Sequence, residues 1–212
     1  MLKQFLIGLV VVLAAGFAQA EPKAGTDYQS LSSPLPTDAP NKIEVIEFFW
    51  YGCPHCYAFE PTLDTWLKGL PKDVHFRRIP GIFNDTWGQA ARVYYALEAL
   101  GASERLHRPL FDAIHKDGKL DPANEAAVTE WLVKQGVDAK KFAAAYHSFA
   151  VDGKVKRAIQ LTQAYKIEGV PAMAVNGKYV IGSASSYAQF LQTVDHLIQQ
   201  SRKDGTKAAP KK

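Results

Sequence analysis

Two cysteines, Cys53 and Cys56, stand three positions apart with Pro54 and His55 between them, and the chain of 212 residues has no other cysteine. A disulfide that closes so short a loop removes little entropy from the unfolded chain, so it is a poor structural crosslink. A structural zinc site is the weaker alternative, because it needs four ligands and the sequence has no second cysteine pair and no closely spaced histidine pair. The spacing therefore predicts a dithiol that is reversibly oxidised, with no metal ion and no cofactor besides the Cys53–Cys56 disulfide.

The residues on either side of the cysteines predict a strand followed by a helix. Residues 43–50 form a nearly continuous apolar run of the kind found in central strands. After Cys53, apolar residues recur at helical spacing; they are Phe59, Leu63, Trp66, Leu67 and Leu70. We expect Pro61 to bend this helix and Pro71 to end it. Cys53 then lies at the helix N-terminus, where unpaired N–H groups and the helix dipole favour a thiolate, and Cys56 lies covered one turn further on.

The rest of the chain predicts further strands separated by a long helical stretch. A second strand is expected at 74–79. Helical patterns follow it; they cover 87–100, 103–114 with Ser103 as cap, Asp121-Pro122 to about Gly136, a segment opening at Asp138, and about 153–165. Two strands, 171–175 and 178–181, flank Asn176-Gly177, a strong hairpin signal. A final helix is expected over 186–200.

The N-terminus has the pattern of a targeting signal. Lys3 precedes an apolar stretch over 5–18, and Ala18-Gln19-Ala20 fits a signal-peptidase site. The apolar stretch is shorter than the roughly twenty residues that a membrane-spanning helix needs. We therefore predict that residues 1–20 are a cleaved signal peptide and that the protein is exported.

Composition and charge exclude some classes of partner. The chain is 47% apolar and 22% charged, which is typical of a globular protein. Its formal net charge of +4 arises partly from five basic residues among the last eleven. Nucleic-acid binding is therefore not indicated, and residues 201–212 are expected to be a flexible basic tail.

The dithiol and a distant proline together carry a resemblance to a known family. Cys53-Pro54-His55-Cys56 follows Glu47-Phe48-Phe49, and Val170-Pro171 precedes a hairpin strand. The chain in this respect resembles the DsbA family, the thioredoxin-fold thiol oxidases of bacterial envelopes, over nearly all of 21–200. The resemblance implies an α/β protein, with a thioredoxin domain (21–86 and 159–200) interrupted by an inserted all-helical domain (87–158).

The same resemblance implies a function in the periplasm. The protein would donate its disulfide to reduced, unfolded exported proteins through a mixed disulfide on Cys53. A quinone-linked membrane oxidase of the DsbB type would then reoxidise the dithiol. A monomer is expected.

The resemblance also implies roles for individual residues. Cys53 is the exposed attacking sulfur, Cys56 its buried partner and Pro171 a cis-proline beside them. A cis bond at Pro171 would expose the Val170 backbone to an extended substrate; a trans proline at the start of a strand is the alternative. His55 would stabilise the Cys53 thiolate, unless it is only a solvated loop histidine.

Two acidic residues near the dithiol allow more than one interpretation. Glu47 lies inside the apolar strand, where a carboxyl is costly to bury without a partner or a proton. It is either a proton relay to Cys56 or a carboxylate at a partly hydrated edge, and family resemblance offers Lys68 as its partner. Glu60 is either a second acidic group near the dithiol or part of a solvated helix face.

Apolar residues next to the cysteines leave rival functions open. Trp50 and Tyr51 could form a rim that binds unfolded chains, or they could belong to the core. A rim of that kind would also suit a periplasmic holdase or peptide-binding module whose dithiol is incidental. Within the enzymes, an isomerase or reductase is the runner-up; a dimeric isomerase would be expected to carry an N-terminal dimerisation domain, and only 21–41 precede the first predicted strand.

Overall fold

A single five-stranded sheet forms the centre of the protein. The computed structural model describes residues 21–118, 120–182 and 184–208, so the predicted signal peptide and residues 209–212 lie outside it. Its strands are β1 (Gln29–Ser30), β2 (Ile43–Phe49), β3 (Val74–Pro80), β4 (Ala172–Val175) and β5 (Tyr179–Ile181). They lie in the order β1-β5-β4-β2-β3, with β2 parallel to β3 and the other neighbours antiparallel. The predicted strands are confirmed to within a residue or two, and only β1 was missed.

Helices follow in the predicted order, and most of them interrupt the sheet. They are α1 (Pro54–Leu67), α2 (Asp85–Ala99), α3 (Ser103–His115), α4 (Glu125–Lys134), α5 (Ala139–Tyr146), α6 (Phe149–Ala164) and α7 (Tyr187–Ala208). Helices α2 to α6 come between β3 and β4, which is the helical insertion that the family resemblance implies. In the part of the chain that the structure describes, no helix is both long and apolar enough to cross a membrane.

Strand β2 is buried on both faces, as its apolar run predicts. Ile43 and Val45 belong to a cluster with residues of α1 and α7, whereas Ile46 and Phe48 belong to a second cluster with residues of the inserted helices. Because side chains alternate along a strand, Glu47 shares the α1 side of the sheet with Val45. This position brings a carboxyl group into the apolar layer beneath the dithiol.

The predicted cap of α3 and the predicted start of α4 are wrong. Ser103 does not cap α3; Ala102 holds the cap position and makes no side-chain hydrogen bond there. Helix α4 does not begin at Asp121, whose carboxylate instead accepts from the Ala123 amide at 2.9 Å in a turn. Asn124 caps α4 by accepting from the backbone three residues on, so the last suitable polar side chain before the helix serves as cap.

Helices α6 and α7 are longer than the sequence pattern predicts. Helix α6 begins at Phe149, with Ser148 as its cap, rather than near Gly153. Helix α7 continues to Ala208 instead of ending at Gln200. Arg202 donates to Asp73 at 2.7 and 2.9 Å, which ties the extra turns to the start of β3. The expected flexible tail is therefore helical over 201–208.

Two local predictions of turn chemistry are confirmed. Asp138 caps α5 through its carboxylate. Asn176 and Gly177 form the hairpin turn with φ values of 53° and 66°, the left-handed pair that such a turn requires. A Cβ on Gly177 would lie 2.1 Å from the Leu35 carbonyl oxygen, so this position needs glycine for space as well.

Candidate active site

The dithiol lies where β2 gives way to α1. Cys53 is the N-cap of α1, and its sulfur accepts a hydrogen bond from the Cys56 amide at 3.3 Å. Its own amide donates to the Trp50 carbonyl at 2.9 Å. Pro54 occupies the first helical position, where a missing N–H costs nothing. The sequence thus folds here so that Cys53 faces the unpaired amides of the helix N-terminus.

The two sulfurs differ in exposure and in acidity. Cys53 is 6% exposed and Cys56 is not exposed at all, so Cys53 is the more accessible sulfur but less open than expected. A hydrogen bond from Cys56 outweighs burial and lowers the pKa of Cys53 to about 6, with help from the backbone amides of Cys56 and His55 and from the charge of His55. Burial raises the pKa of Cys56 far above its usual value. His55 itself is exposed, and its carbonyl accepts from Tyr187 at 3.0 Å.

A segment 117 residues away completes the surroundings of Cys53. The Val170–Pro171 peptide is cis, as predicted. The Val170 carbonyl accepts from Cys53 Sγ at 3.4 Å. Gly81, which follows β3, also abuts Val170, because a Cβ at Gly81 would lie 3.0 Å from its Cγ1. The sheet thus brings the start of β4 against the Cys53 sulfur.

Glu47 is fully buried beneath the dithiol and pairs with Arg78, whose Nε donates to Glu47 Oε2 at 2.9 Å. Burial, opposed by Arg78, raises the pKa of Glu47 to about 8. Its other oxygen, Oε1, has no hydrogen-bond partner in the described part of the protein. The prediction of Lys68 as partner is therefore wrong, because Lys68 is exposed beyond the end of α1. The alternative prediction, that Glu47 is a carboxylate at a partly hydrated edge, is wrong as well, because Glu47 is not exposed at all.

Glu60 is also buried, at 1% exposure, so the prediction that it is part of a solvated helix face is wrong. It lies between Arg78, 3.3 Å from Oε2, and His107, 3.3 Å from Oε1. Burial alone would raise the pKa of Glu60, but the hydrogen bond from His107 and the charge of Arg78 together lower it. Sequence reasoning missed both partners. Two arginines in a strand that pairs with the glutamate-bearing β2 are a signal that could have found Arg78.

The two residues before Gly52 have different environments. Tyr51 is 1% exposed and lies in the core, so it cannot form part of an apolar rim. Trp50 is half-buried and stacks on Trp87, with ring centroids 4.2 Å apart and planes 8° apart. Phe83, 45% exposed, meets Trp87 edge to face. The apolar surface next to the dithiol therefore includes Trp50, Trp87 and Phe83.

These features define a class of protein. Among the residues described, no group of three or more histidine, cysteine or acidic side chains is arranged to hold a metal ion. The two sulfurs differ in acidity and lie at a helix N-terminus beside a cis-proline. That combination is typical of thioredoxin-fold thiol:disulfide oxidoreductases.

Comparisons with known proteins give the family. A family profile described as "DSBA-like thioredoxin domain" matches residues 72–195. The chain is 42% identical over 207 residues to the thiol:disulfide interchange protein DsbA of Pseudomonas aeruginosa, covering 95% of this chain and 98% of the relative. It is 45% identical over 196 residues to the corresponding protein of Burkholderia cepacia, covering 89% and 91%.

Solved structures agree with the sequence relatives. The crystal structure of Pseudomonas aeruginosa DsbA superposes with a TM-score of 0.83 at 44% identity, covering 87% of this chain and 97% of that one. The DsbA oxidoreductase of Xylella fastidiosa gives a TM-score of 0.82 at 30% identity, covering 87% and 100%. The chain belongs to the DsbA family. It is a thiol:disulfide oxidoreductase with a thioredoxin fold and a helical insertion.

Proposed function

We propose that this protein is a periplasmic oxidase that passes its Cys53–Cys56 disulfide to reduced, unfolded exported proteins. The observation that carries the proposal is the asymmetry of the two sulfurs. Cys53 is the more accessible and has a pKa of about 6, whereas Cys56 is fully buried with a raised pKa. A thiol with a low pKa is a good leaving group in thiol–disulfide exchange, which favours release of Cys53 from a substrate.

The first step is attack by a substrate thiolate on Cys53 Sγ of the oxidised protein. A new bond forms between the substrate sulfur and Cys53, the Cys53–Cys56 bond breaks, and its electron pair passes to Cys56. Because Cys56 has a raised pKa, it leaves with a proton. Glu47 is the proposed donor, since a carboxyl with a pKa of about 8 is mostly protonated at neutral pH.

The second step releases the oxidised substrate. A second substrate thiolate attacks the substrate sulfur of the mixed disulfide and expels Cys53 as a thiolate. His55 and the helix N-terminus stabilise that thiolate. The products are a substrate disulfide and a reduced dithiol.

Substrate binding is proposed at the surface around Cys53. The Val170 carbonyl and Pro171 adjoin the sulfur, so an extended substrate backbone would lie along Val170. Trp50, with its neighbours Trp87 and Phe83, provides apolar area for substrate side chains. Contacts of this kind suit unfolded chains, which present apolar residues without a fixed shape.

Reoxidation and location complete the proposal. The reduced dithiol would pass the two electrons that it took from the substrate to a quinone-linked membrane oxidase of the DsbB type. The predicted signal peptide over 1–20 and the bacterial DsbA relatives support a periplasmic location.

Trapping the mixed disulfide tests the mechanism. Oxidised protein is mixed with a reduced peptide that carries one cysteine, quenched with acid and mapped by mass spectrometry. We expect the peptide on Cys53. Attachment mainly to Cys56 would contradict the assignment.

Replacing both cysteines separates the oxidase from the rivals. The Cys53→Ala, Cys56→Ala variant should no longer oxidise a reduced test protein, whereas a holdase would still suppress aggregation at the wild-type level. A redox titration of the wild type against glutathione separates oxidase from reductase, because a strongly reducing dithiol could not donate its disulfide efficiently.

A further inference from the structure

Tyr51, two residues before the reactive cysteine, is held at both ends by one helix of the insertion. Its hydroxyl lies 3.0 Å from His107 Nδ1, and its main-chain carbonyl oxygen lies 2.7 Å from His115 Nε2. Both histidines belong to α3, eight positions or about two turns apart. These bonds span 56 and 64 positions of sequence, so they join the active-site loop directly to the insertion.

The loop that Tyr51 begins has little freedom of its own. The Trp50 carbonyl accepts from the Cys53 amide at 2.9 Å, which closes a tight turn around Tyr51 and Gly52. The Trp50 indole covers Gly52 so closely that a Cβ there would lie 2.3 Å from its ring. The direction of the Tyr51 carbonyl therefore fixes the path by which the chain enters Cys53.

His107 extends this contact into the buried charges. Burial lowers the pKa of His107, so its ring is neutral and has one donor and one acceptor nitrogen. Its two partners assign the tautomer: Nδ1 accepts from the Tyr51 hydroxyl, and Nε2–H donates to the Glu60 carboxylate. Glu60 then shares Arg78 with Glu47. One unbroken series of polar contacts thus runs from Tyr51 to the carboxyl group beneath the dithiol.

His115, at the end of α3, also packs against helix α1. Its ring stacks on Tyr57 of α1, with centroids 5.1 Å apart and planes 17° apart. The Tyr57 hydroxyl in turn donates to Asp112 of α3 at 2.9 Å. Helix α3 therefore contacts both the loop before Cys53 and the first turn of α1, the helix that Cys53 caps.

We propose that His107 and His115 are positioning residues that clamp Tyr51 at both ends, so that helix α3 of the insertion sets the geometry of the dithiol. The insertion then has a part in the redox chemistry itself, besides any contact with substrate. The proposal rests on the proposed function, because it concerns how the Cys53 thiolate is held in a productive position. Neither histidine touches the reacting sulfurs.

Aromatic replacements isolate the hydrogen bonds from packing. His115→Phe keeps a ring against Tyr57 and removes the N–H that reaches the Tyr51 carbonyl. Tyr51→Phe removes only the hydroxyl that reaches His107, and it avoids leaving Glu60 without a partner. His147→Phe is the matched control, since His147 lies on the insertion surface, where its ring bonds to Glu125 and meets the Tyr146 ring edge to face, away from Tyr51.

Two measurements report on the dithiol rather than on folding. One is the pH titration of the Cys53 thiolate by its ultraviolet absorbance; the other is the equilibrium constant with glutathione. We expect both His115→Phe and Tyr51→Phe to raise the Cys53 pKa and to shift the glutathione equilibrium by about threefold or more, the size of one modest hydrogen bond. His147→Phe should match the wild type, and His115→Gln, which keeps a side-chain N–H, should recover most of the His115→Phe change.

The outcomes separate the clamp from the proposed function. The two-ended clamp would be overturned if His115→Phe and Tyr51→Phe both had the wild-type Cys53 titration and glutathione equilibrium. It would also be overturned if only one of the two variants differed from the wild type. A change in urea midpoint without a change in either redox measurement would also overturn it, because the bonds would then be only structural. A wild-type protein without an acidic Cys53 would instead count against the proposed function.

Discussion

Replacing Glu47 by glutamine removes an ionisable group from the apolar layer beneath the dithiol. Glutamine has nearly the same shape, and its amide oxygen can accept from Arg78 as Glu47 Oε2 does at 2.9 Å. The amide nitrogen takes the place of Oε1, which has no partner among the described residues. The substitution therefore compares a group that ionises with one that cannot.

The magnitude follows from the raised pKa. Burial, opposed by Arg78, moves the pKa of Glu47 from 4.5 to about 8. At pH 7 the carboxyl is ionised in the unfolded chain and mostly protonated in the folded protein, which costs about 1.4 kcal/mol for each pH unit above 4.5. We therefore expect Glu47→Gln to have a free energy of unfolding about 3 kcal/mol larger than the wild type at pH 7, relative to their difference at pH 4.

The direction with pH is fixed by linkage. Because the folded state binds the proton more tightly, this group makes the wild type lose stability as the pH rises from about 4.5 to 8. Paired urea melts of the wild type and Glu47→Gln at intervals from pH 4 to pH 8 measure the difference, and groups that titrate equally in both proteins cancel. The same variant should protonate Cys56 more slowly, since it lacks the proposed proton source.

Parallel stability curves for the two proteins from pH 5 to pH 8 would refute the reasoning. They would mean that Arg78 keeps Glu47 ionised at no net cost. Unaltered oxidation kinetics over pH 6 to 8 would separately remove the proton relay and leave Glu47 with a structural role.

Three further predictions concern the dithiol and its surroundings. Iodoacetamide should label Cys53 with half-maximal rate near its pKa of about 6, while Cys56 stays unlabelled at neutral pH; equal labelling of both, read by mass mapping, would contradict the assignment. Pro171→Thr should disturb the Val170 carbonyl that lies 3.4 Å from Cys53 Sγ, so mixed disulfides should accumulate on non-reducing gels; turnover equal to the wild type without trapped complexes would count against that role. The free energy of unfolding of the disulfide form should exceed that of the dithiol form by only about 1 kcal/mol at pH 7. Closing the disulfide loop stabilises the oxidised protein by about 2 kcal/mol, whereas the Cys53 thiolate stabilises the reduced protein by at most about 1.4 kcal/mol, reduced by solvent screening. Since a depressed thiol pKa stabilises the dithiol form above about pH 8.5 and loses that effect as the pH falls through 6, paired urea melts should favour the disulfide increasingly on acidification; a constant difference from pH 5 to pH 8.5 would disprove this.

Local patterns predicted the elements that position the dithiol. The apolar run before Cys53 became β2, the helical spacing after it became α1, and Asn176-Gly177 became the turn between β4 and β5. Each of these depends on side-chain periodicity or on backbone preferences over a few residues. Helix caps were predicted less well: Ser103 and Asp121 have suitable side chains, yet Ala102 and Asn124 hold the cap positions.

The amino-acid sequence was enough to predict a redox-active dithiol: two cysteines at redox spacing, at the end of a buried strand and the start of a helix, with a proline far away in the chain. The groups that surround the two cysteines became known only from the packing of the folded chain. Arg78 replaces the expected Lys68 because the parallel register sets Arg78 opposite Glu47. Tyr51 is a core residue, and its hydroxyl and carbonyl both meet histidines of α3. The physical reason is that periodicity and turn preferences act between neighbours in sequence, whereas the partner of a buried polar group is chosen by the packing of elements that lie dozens of residues apart.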